Sequence, residues 1–440
     1  MTAGTTPAPV RRTLLTPAVT RLPETRASWL DRAAAAAVPV VLALSISLPQ
    51  GLKLGYLVVL LLVPVWLPVL GRFREARLFV VLGLAGVVGG ALLTAFAAAS
   101  QTTSQTLLVA NSFMLLGLVA GTGALLWART VLGAPTVAVW FGLGMVASIP
   151  LGSGLGSSNV WRFGLSLPVT VLLLALAWRW SSRLMEFIVI VIIGLIGALN
   201  DARSGSAMLV MTAALVVWQL RPSTPGRRGS TIRTLLGLGV LGALVYTVTQ
   251  AVILGGYLGE RALERTQDQI NTSGNLIVGG RPEAAATIEL LTDRPVGFGS
   301  GALPTLTDIL NAKTGMSAIG YQPNNGYVEN YMFGFGYEVH SVIGDLWIRF
   351  GLAGCAIAVL IFVLTFRALG DGLARRAASA LMIWLTVRML WNLLFSPLES
   401  SLLLTMLFLA IAFVPRRSVD TDRDVRIAGP EAPRPRRLPV

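Results

Sequence analysis

The chain has 440 residues, 54% of them hydrophobic and 13% charged, with a net charge of +14. A soluble domain carries about 25% charged residues, and a bilayer span needs about 20 apolar residues; runs of that kind recur here from residue 33 to residue 415, leaving no room for a separate soluble catalytic domain. The positive charge does not indicate nucleic acid, because most arginines sit in short stretches between apolar runs, as the positive-inside pattern of membrane helices requires.

Residues 1–32 form a polar, Pro- and Arg-bearing tail with no signature of a cleaved signal peptide. Spans are predicted near 33–49, 54–71, 77–99, 105–127, 130–150, 163–178, 184–200, 205–220 and 233–254. A segment of unusual length, 255–339, follows, and then spans near 340–366, 377–396 and 399–415. Residues 416–440 form a second polar tail. Placing the N-terminal tail in the cytoplasm gathers most of the 35 lysines and arginines on the inner side. A shift by one span would invert that asymmetry, so both termini are expected inside. The expected fold class is all-α: a polytopic membrane protein of about twelve transmembrane helices with one large, partly helical extracytoplasmic loop.

Both tails read as disordered. Asp420-Thr421-Asp422 in the second resembles a D-x-D metal motif but lies in a polar tail with no flanking strand, and reads as solvated charge. The single cysteine, Cys355, rules out an internal disulfide framework or a thiolate metal cage.

The loop is too long for a plain linker and should fold. Residues 258–270 are polar and helix-compatible. Arg281-Pro282-Glu283 opens a second helix, since Pro suits a first helical position, and Asp293-Arg294-Pro295 should stop it. A Gly-rich turn follows at 297–301, and then an aromatic stretch with Tyr321, Tyr327, Tyr331 and Tyr337 interleaved with Phe333 and Phe335. Those aromatics read either as a belt at the membrane surface or as a platform for the apolar faces of sugar rings.

Ten Lys or Arg remain on the outer side or inside spans. A charge at bilayer depth costs about 2.5–3.5 kcal/mol, which makes such residues functional suspects. Arg203 lies at the outer end of a hairpin of spans. Arg349 is four residues from Asp345 and could pair with it; Arg388 has Glu399 as a candidate partner. Snorkelling or internal pairing is the competing reading for Arg349 and Arg388. His340, the only histidine, lies where the loop enters the tenth span. Its side chain suits proton transfer near neutral pH, although a lone histidine at a helix start also serves as a cap or as packing.

His340-Ser341 is followed by nine residues and then Gly351-Leu352-Ala353-Gly354. This resembles the signature H-[NSQ]-x(9)-G-x-x-[GTY] of the O-antigen ligase and polymerase superfamily. Arg203-Ser204-Gly205 is similar to that family's Arg-Ser segment, with Ala202 where Ser is common. Arg281 stands where the family has an arginine opening a loop helix. Pro295, Gly297 and Gly299 give a one-residue-shorter form of its Pro-x-x-Gly-x-Gly element. The resemblance implies a GT-C-type membrane glycosyltransferase that moves a glycan from a polyprenyl diphosphate carrier to an acceptor hydroxyl. It implies that Arg203 and Arg281 bind the donor diphosphate and that His340 acts on the hydroxyl. Ser341, Arg388 and Arg349 are auxiliary candidates. No cofactor and no metal is implied, and the partners are the lipid-linked donor, a glycan or lipid-glycan acceptor and the bilayer itself, with the active site on the outer face of the cytoplasmic membrane.

The chemistry is self-consistent. Arginine matches phosphate oxygens bidentately and stays charged, and fixed positive charge at the leaving group lowers the barrier. A histidine base contributes about 10²–10⁴-fold, and direct attack inverts the anomeric centre. A retaining route would use a carboxylate; Glu329, Glu338 and Asp345 are near in sequence. Polymerase and ligase both fit. A transporter or flippase of lipid-linked oligosaccharide is the competing class, kept open by Arg349, Asp345 and Arg388, although no internal repeat is visible.

Overall fold

The computed structural model describes residues 28–44, 46–220, 231–256, 259–274 and 280–416. Both tails, with Asp420-Thr421-Asp422, and Arg221, Arg227 and Arg228 lie outside the described residues.

Among the described residues the chain is helical with only isolated bridges between extended residues. In chain order the helices are α1 (Trp29–Ala43), α2 (Leu54–Leu61), α3 (Val63–Trp66), α4 (Ala76–Ala97), α5 (Gln105–Leu132), α6 (Ala134–Ala147), α7 (Ser166–Arg179), α8 (Arg183–Leu199), α9 (Arg203–Leu220), α10 (Thr231–Leu254), α11 (Glu260–Ser273), α12 (Glu283–Asp293), α13 (Leu306–Ala318), α14 (Val342–Ala374), α15 (Ala380–Phe395) and α16 (Leu398–Ala412). A helix lies in or overlaps each of the twelve predicted spans, with both α2 and α3 in the second. Among the described residues six helices are long and apolar enough to cross a membrane, or up to seven if a bent pair is one span. That pair, Leu54–Leu61 with Val63–Arg72, turns by 56°. Pro64 and Pro68 explain the bend, because each removes a backbone donor and clashes with the preceding turn.

Helix starts follow local chemistry. Ser28, Ser104, Ser182, Thr305, Ser341 and Ser379 each accept a bond from a first-turn N–H, which satisfies donors a helix start leaves orphaned. Ser28 with Asp31 and Thr305 with Asp308 complete capping boxes.

The described residues form two apolar cores. The larger joins the long helices, with α4 packed on α14 and α5 packed on α2 and α16. The smaller one centres on Leu290, Phe298, Met316, Met332 and Tyr337, and includes Trp347 and Ile348 from the start of α14. Residues 283–339 therefore form a helical cap that shares a core with that helix.

The predicted tenth span is not one straight helix. α14 breaks at Gly351, whose backbone (φ 61°, ψ −142°) only glycine adopts readily. The break leaves the Ile348 carbonyl without its helical partner, and the N–H groups of Phe298 and Gly299 donate to it at 2.8 and 3.0 Å. Three residues on, a Cβ at Gly354 would meet the Leu346 carbonyl oxygen at 1.9 Å. The two glycines of the histidine signature thus shape the break into which the 297–301 turn docks.

Candidate functional site

The cap, α14 and α15 meet around His340. His340 itself has φ 55°, a left-handed conformation uncommon for a residue with a side chain. Ser341 fixes that turn: its hydroxyl accepts from Gly344 N–H at 3.1 Å and donates to the Leu393 carbonyl at 2.9 Å. Its role is therefore to cap α14 and tie it to α15.

The imidazole is buried and stacks under the half-exposed Tyr331 ring, 4.3 Å between centroids and 24° between planes. Nδ1 lies 3.2 Å from the Glu338 carbonyl oxygen. A carbonyl only accepts, so Nδ1 is the donor in that bond. The Glu338 carboxylate lies 3.9 Å from Nε2. Burial pushes the Glu338 carboxyl up, and the neighbouring Asp345 charge adds to this.

Phe335 is exposed, and the rest of the aromatic stretch divides into two groups. Tyr337 is buried in the cap core against Phe298, and Phe333 packs on Tyr337. Tyr321, Tyr327 and Tyr331 form a row leading to His340, with centroids 6.2 and 4.9 Å apart. The row is anchored where Tyr327 donates a short bond to the buried Glu283 carboxylate, and burial followed by that carboxylate raises the Tyr327 hydroxyl's pKa.

Around this row lie the arginines. Arg281 immediately precedes Pro282, which sits at the cap position so that α12 starts at Glu283, one residue later than expected; the helix ends at Asp293 as expected. Its guanidinium lies over the Trp391 ring of α15 at 5.5 Å. Arg388, one turn before Trp391, reaches only Met208 Sδ at 3.8 Å, and its Nε is buried without a hydrogen-bond partner. Among the described residues neither Arg281 nor Arg388 has an ion-pair partner, and the Glu399 carboxylate expected beside Arg388 does not reach it. Arg203 contacts Asp201 at 3.3 Å and donates to Thr266 Oγ1 at 3.2 Å. Arg162 reaches the other oxygen of the same Asp201 at 3.9 Å, so one carboxylate faces two guanidiniums. Arg281 and Arg162 lie close enough for their charges to act on the Tyr331 hydroxyl, whose ring stacks on His340.

The pairing expected between Asp345 and Arg349 is absent. Asp345 accepts from the Val339 and Leu398 N–H groups, both at 2.8 Å. Arg349 donates twice to the Tyr337 carbonyl, at 2.9 and 3.1 Å, and once to Asn111 Oδ1 at 3.2 Å. Backbone groups left over at turns outcompete the helical neighbour in both cases. Glu329 is bound to Lys313, whose bond holds its carboxyl below the usual range. Of the three carboxylates offered by the sequence, Glu338 is the one beside His340. Among the described residues no group of three or more His, Cys, Asp or Glu is arranged to hold a metal ion.

Asn111, Met208 and Trp391 carry no signal in the sequence that would mark them as site residues. Comparison with known protein families, with characterised proteins and with solved structures finds no match.

Proposed function

We propose that this chain is a membrane glycosyltransferase that transfers a glycan from a polyprenyl diphosphate carrier to an acceptor hydroxyl, as a polysaccharide polymerase or ligase. In this reading the twelve apolar segments cross the cytoplasmic membrane, the termini lie inside and the 255–339 segment lies on the outer face. One observation carries it: Arg281, with no ion-pair partner among the described residues, lies close enough for its charge to act on Tyr331, whose ring stacks on His340. Partly buried cations without counter-charge are costly for a fold, and an anionic ligand would supply the missing charge. A diphosphate at headgroup depth, its chain in the bilayer, supplies two such charges.

The reaction follows from those residues. Arg203, Arg281 and Arg388 bind the diphosphate and stabilise the charge it gathers as the anomeric bond breaks. Nε2 of His340 takes the proton as the acceptor oxygen attacks the anomeric carbon from the opposite face. The arginines do the work a divalent metal does in other transferases, which is the ground for proposing metal-independent transfer.

A transporter of lipid-linked glycan is the second reading, favoured by a charged cavity inside the bundle, lined by Lys53, Glu338, Arg349 and Glu399. The two separate in a strain or proteoliposome assay with His340→Ala, Arg203→Ala and Arg281→Ala proteins at equal abundance. Transfer is expected to fall by about 10²–10⁴-fold in His340→Ala, with lipid-linked donor accumulating. Undiminished transfer by that protein would sink the assignment of the base.

A further inference from the structure

The cap carries an apolar face that the described chain leaves uncovered. On α12 the residues Ala284, Ile288 and Leu291 are exposed, and their i, i+4, i+7 spacing puts them on one side of the helix. Ile288 is 62% and Leu291 43% exposed. Pro295 and Val296, just past the helix end, are exposed as well. The carboxylates of α12 lie elsewhere: Glu283 is buried against Tyr327, Glu289 packs beside Gly315 of α13, and Asp293 ends the helix next to Arg294. Ala286 and Leu290, on the opposite side, fill the cap core. A helix between a core and water is polar on its outer side; this one is apolar on both.

Two tethers set where α12 lies. Before its start, Arg281 rests on Trp391, one turn from the end of α15 at Phe395. Past its end, the Val296 carbonyl oxygen lies 2.7 Å from the position a Cβ on Gly351 would take, and Leu93 Cδ1 approaches the same point at 2.7 Å. Leu93 is one turn from the end of α4 at Ala97. α4 runs antiparallel to α14, with Gly90 against Arg349 and Gly86 against Ile357. So does α15, with Leu393 bonded to Ser341 and the preceding Ala378 against Gly372. Both helices therefore finish at one end of the bundle, and α12 is fastened at both ends within the depth they reach. That depth is bare of protein nearby: Val88, Leu92 and Phe96 form an exposed stripe on α4, and Leu352, next to Gly351, is exposed on α14. Val296 thus brings the α12 face up to the surface that the spans turn outward.

We infer that α12 is an interfacial helix whose Ala284, Ile288 and Leu291 face sits in the acyl chains of the bilayer leaflet at that end of the bundle, so that the lipid surface is the partner that covers the cap. An amphipathic helix lying at a bilayer surface buries its apolar face in this way. That the leaflet is the outer one rests on the transferase reading above; the contact with lipid does not. In that reading the seat also fixes the height of Arg281, two residues before the helix.

The test uses the full-length protein in nanodiscs of phosphatidylcholine and phosphatidylglycerol without polyprenyl lipid, carrying Cys355→Ser so that one nitroxide is placed at a time. Labels go on Ile288→Cys and Leu291→Cys, and on Ser317→Cys at an exposed polar position of α13. The readout is relaxation of each label by oxygen, which partitions into acyl chains, and by a water-soluble nickel chelate. Oxygen is expected to act more strongly than the chelate at 288 and 291, with the order reversed at 317. Access of the chelate at 288 and 291 equal to that at 317 overturns the inference, because the face is then in water. Dipolar broadening that dilution with unlabelled protein removes also overturns it, since a second copy then covers the face. So does protection that appears only when a polyprenyl diphosphate is added, which assigns the face to the carrier's chain. Lipid contact at 288 and 291 in a protein that transfers no glycan keeps the seat and overturns the transferase reading instead.

Discussion

Two arginines inside the helix bundle have opposite surroundings. Arg129, near the end of α5, donates one guanidinium nitrogen to the carbonyls of Ala410, Ile411 and Phe413 at 2.8–3.1 Å and lies over the Phe73 ring at 5.4 Å. It closes the C-terminus of α16, where helix carbonyls lack partners and favour a cation. Arg388 has a sulfur contact and an unpartnered Nε. The first is consumed by the fold. The second leaves its hydrogen-bonding capacity for something else. Burial alone does not mark a charge as functional; what matters is whether the protein has already used its donors.

Removing each arginine should therefore have opposite consequences. Arg129→Met is expected to destabilise the protein by about 3 kcal/mol, because it strands carbonyls that were bonded, and thermal unfolding in detergent will register the loss. Arg388→Met should leave the Tm unchanged or raised, since it removes a cation without a counter-charge, while affinity for an added polyprenyl diphosphate falls roughly ten- to a hundredfold. A fall in Tm for Arg388→Met as large as that for Arg129→Met would erase the distinction.

Glu338 sharpens it from the anionic side, with a smaller effect. Its carboxyl is raised in the folded protein by burial and then by Asp345. A raised group stabilises the fold below its unfolded pKa, and that contribution is lost as pH climbs through the folded value. The wild-type Tm should decline over that interval above the ordinary carboxylate range, and Glu338→Gln should flatten the decline. An unchanged slope would mean that another group titrates there.

Much of the fold was legible because hydropathy is a strong signal: a helix lies in or overlaps every predicted span, and Asp293-Arg294-Pro295 ends α12 as its composition required. The break at Gly351 was written in the histidine signature but could not be told from the glycines that pack membrane helices elsewhere. Side-chain partners were less legible. The spacing of Asp345 and Arg349 places them on one helix face, yet says nothing of the backbone groups of Val339, Leu398 and Tyr337 that claim them. The stacking of Tyr331 on His340 depends on the π-type turn at Tyr327–Met332, which has no periodic signature. Arg281 was identifiable, but Trp391 beneath it comes from a helix remote in sequence.

The break in α14 also bears on how the protein tolerates its surroundings. An unbroken helix over its 33 residues would be about 50 Å long, well beyond a hydrocarbon layer of about 30 Å. Cut at Gly351, the part from 352 to 374 is a rod of about 35 Å, and the part before it is an arm held by Phe298 and Gly299. A membrane that thins or thickens tilts a rod. The arm takes its heading from the cap, through the bonds of Phe298 and Gly299 to Ile348, so the position of His340 is set by the cap rather than by the rod.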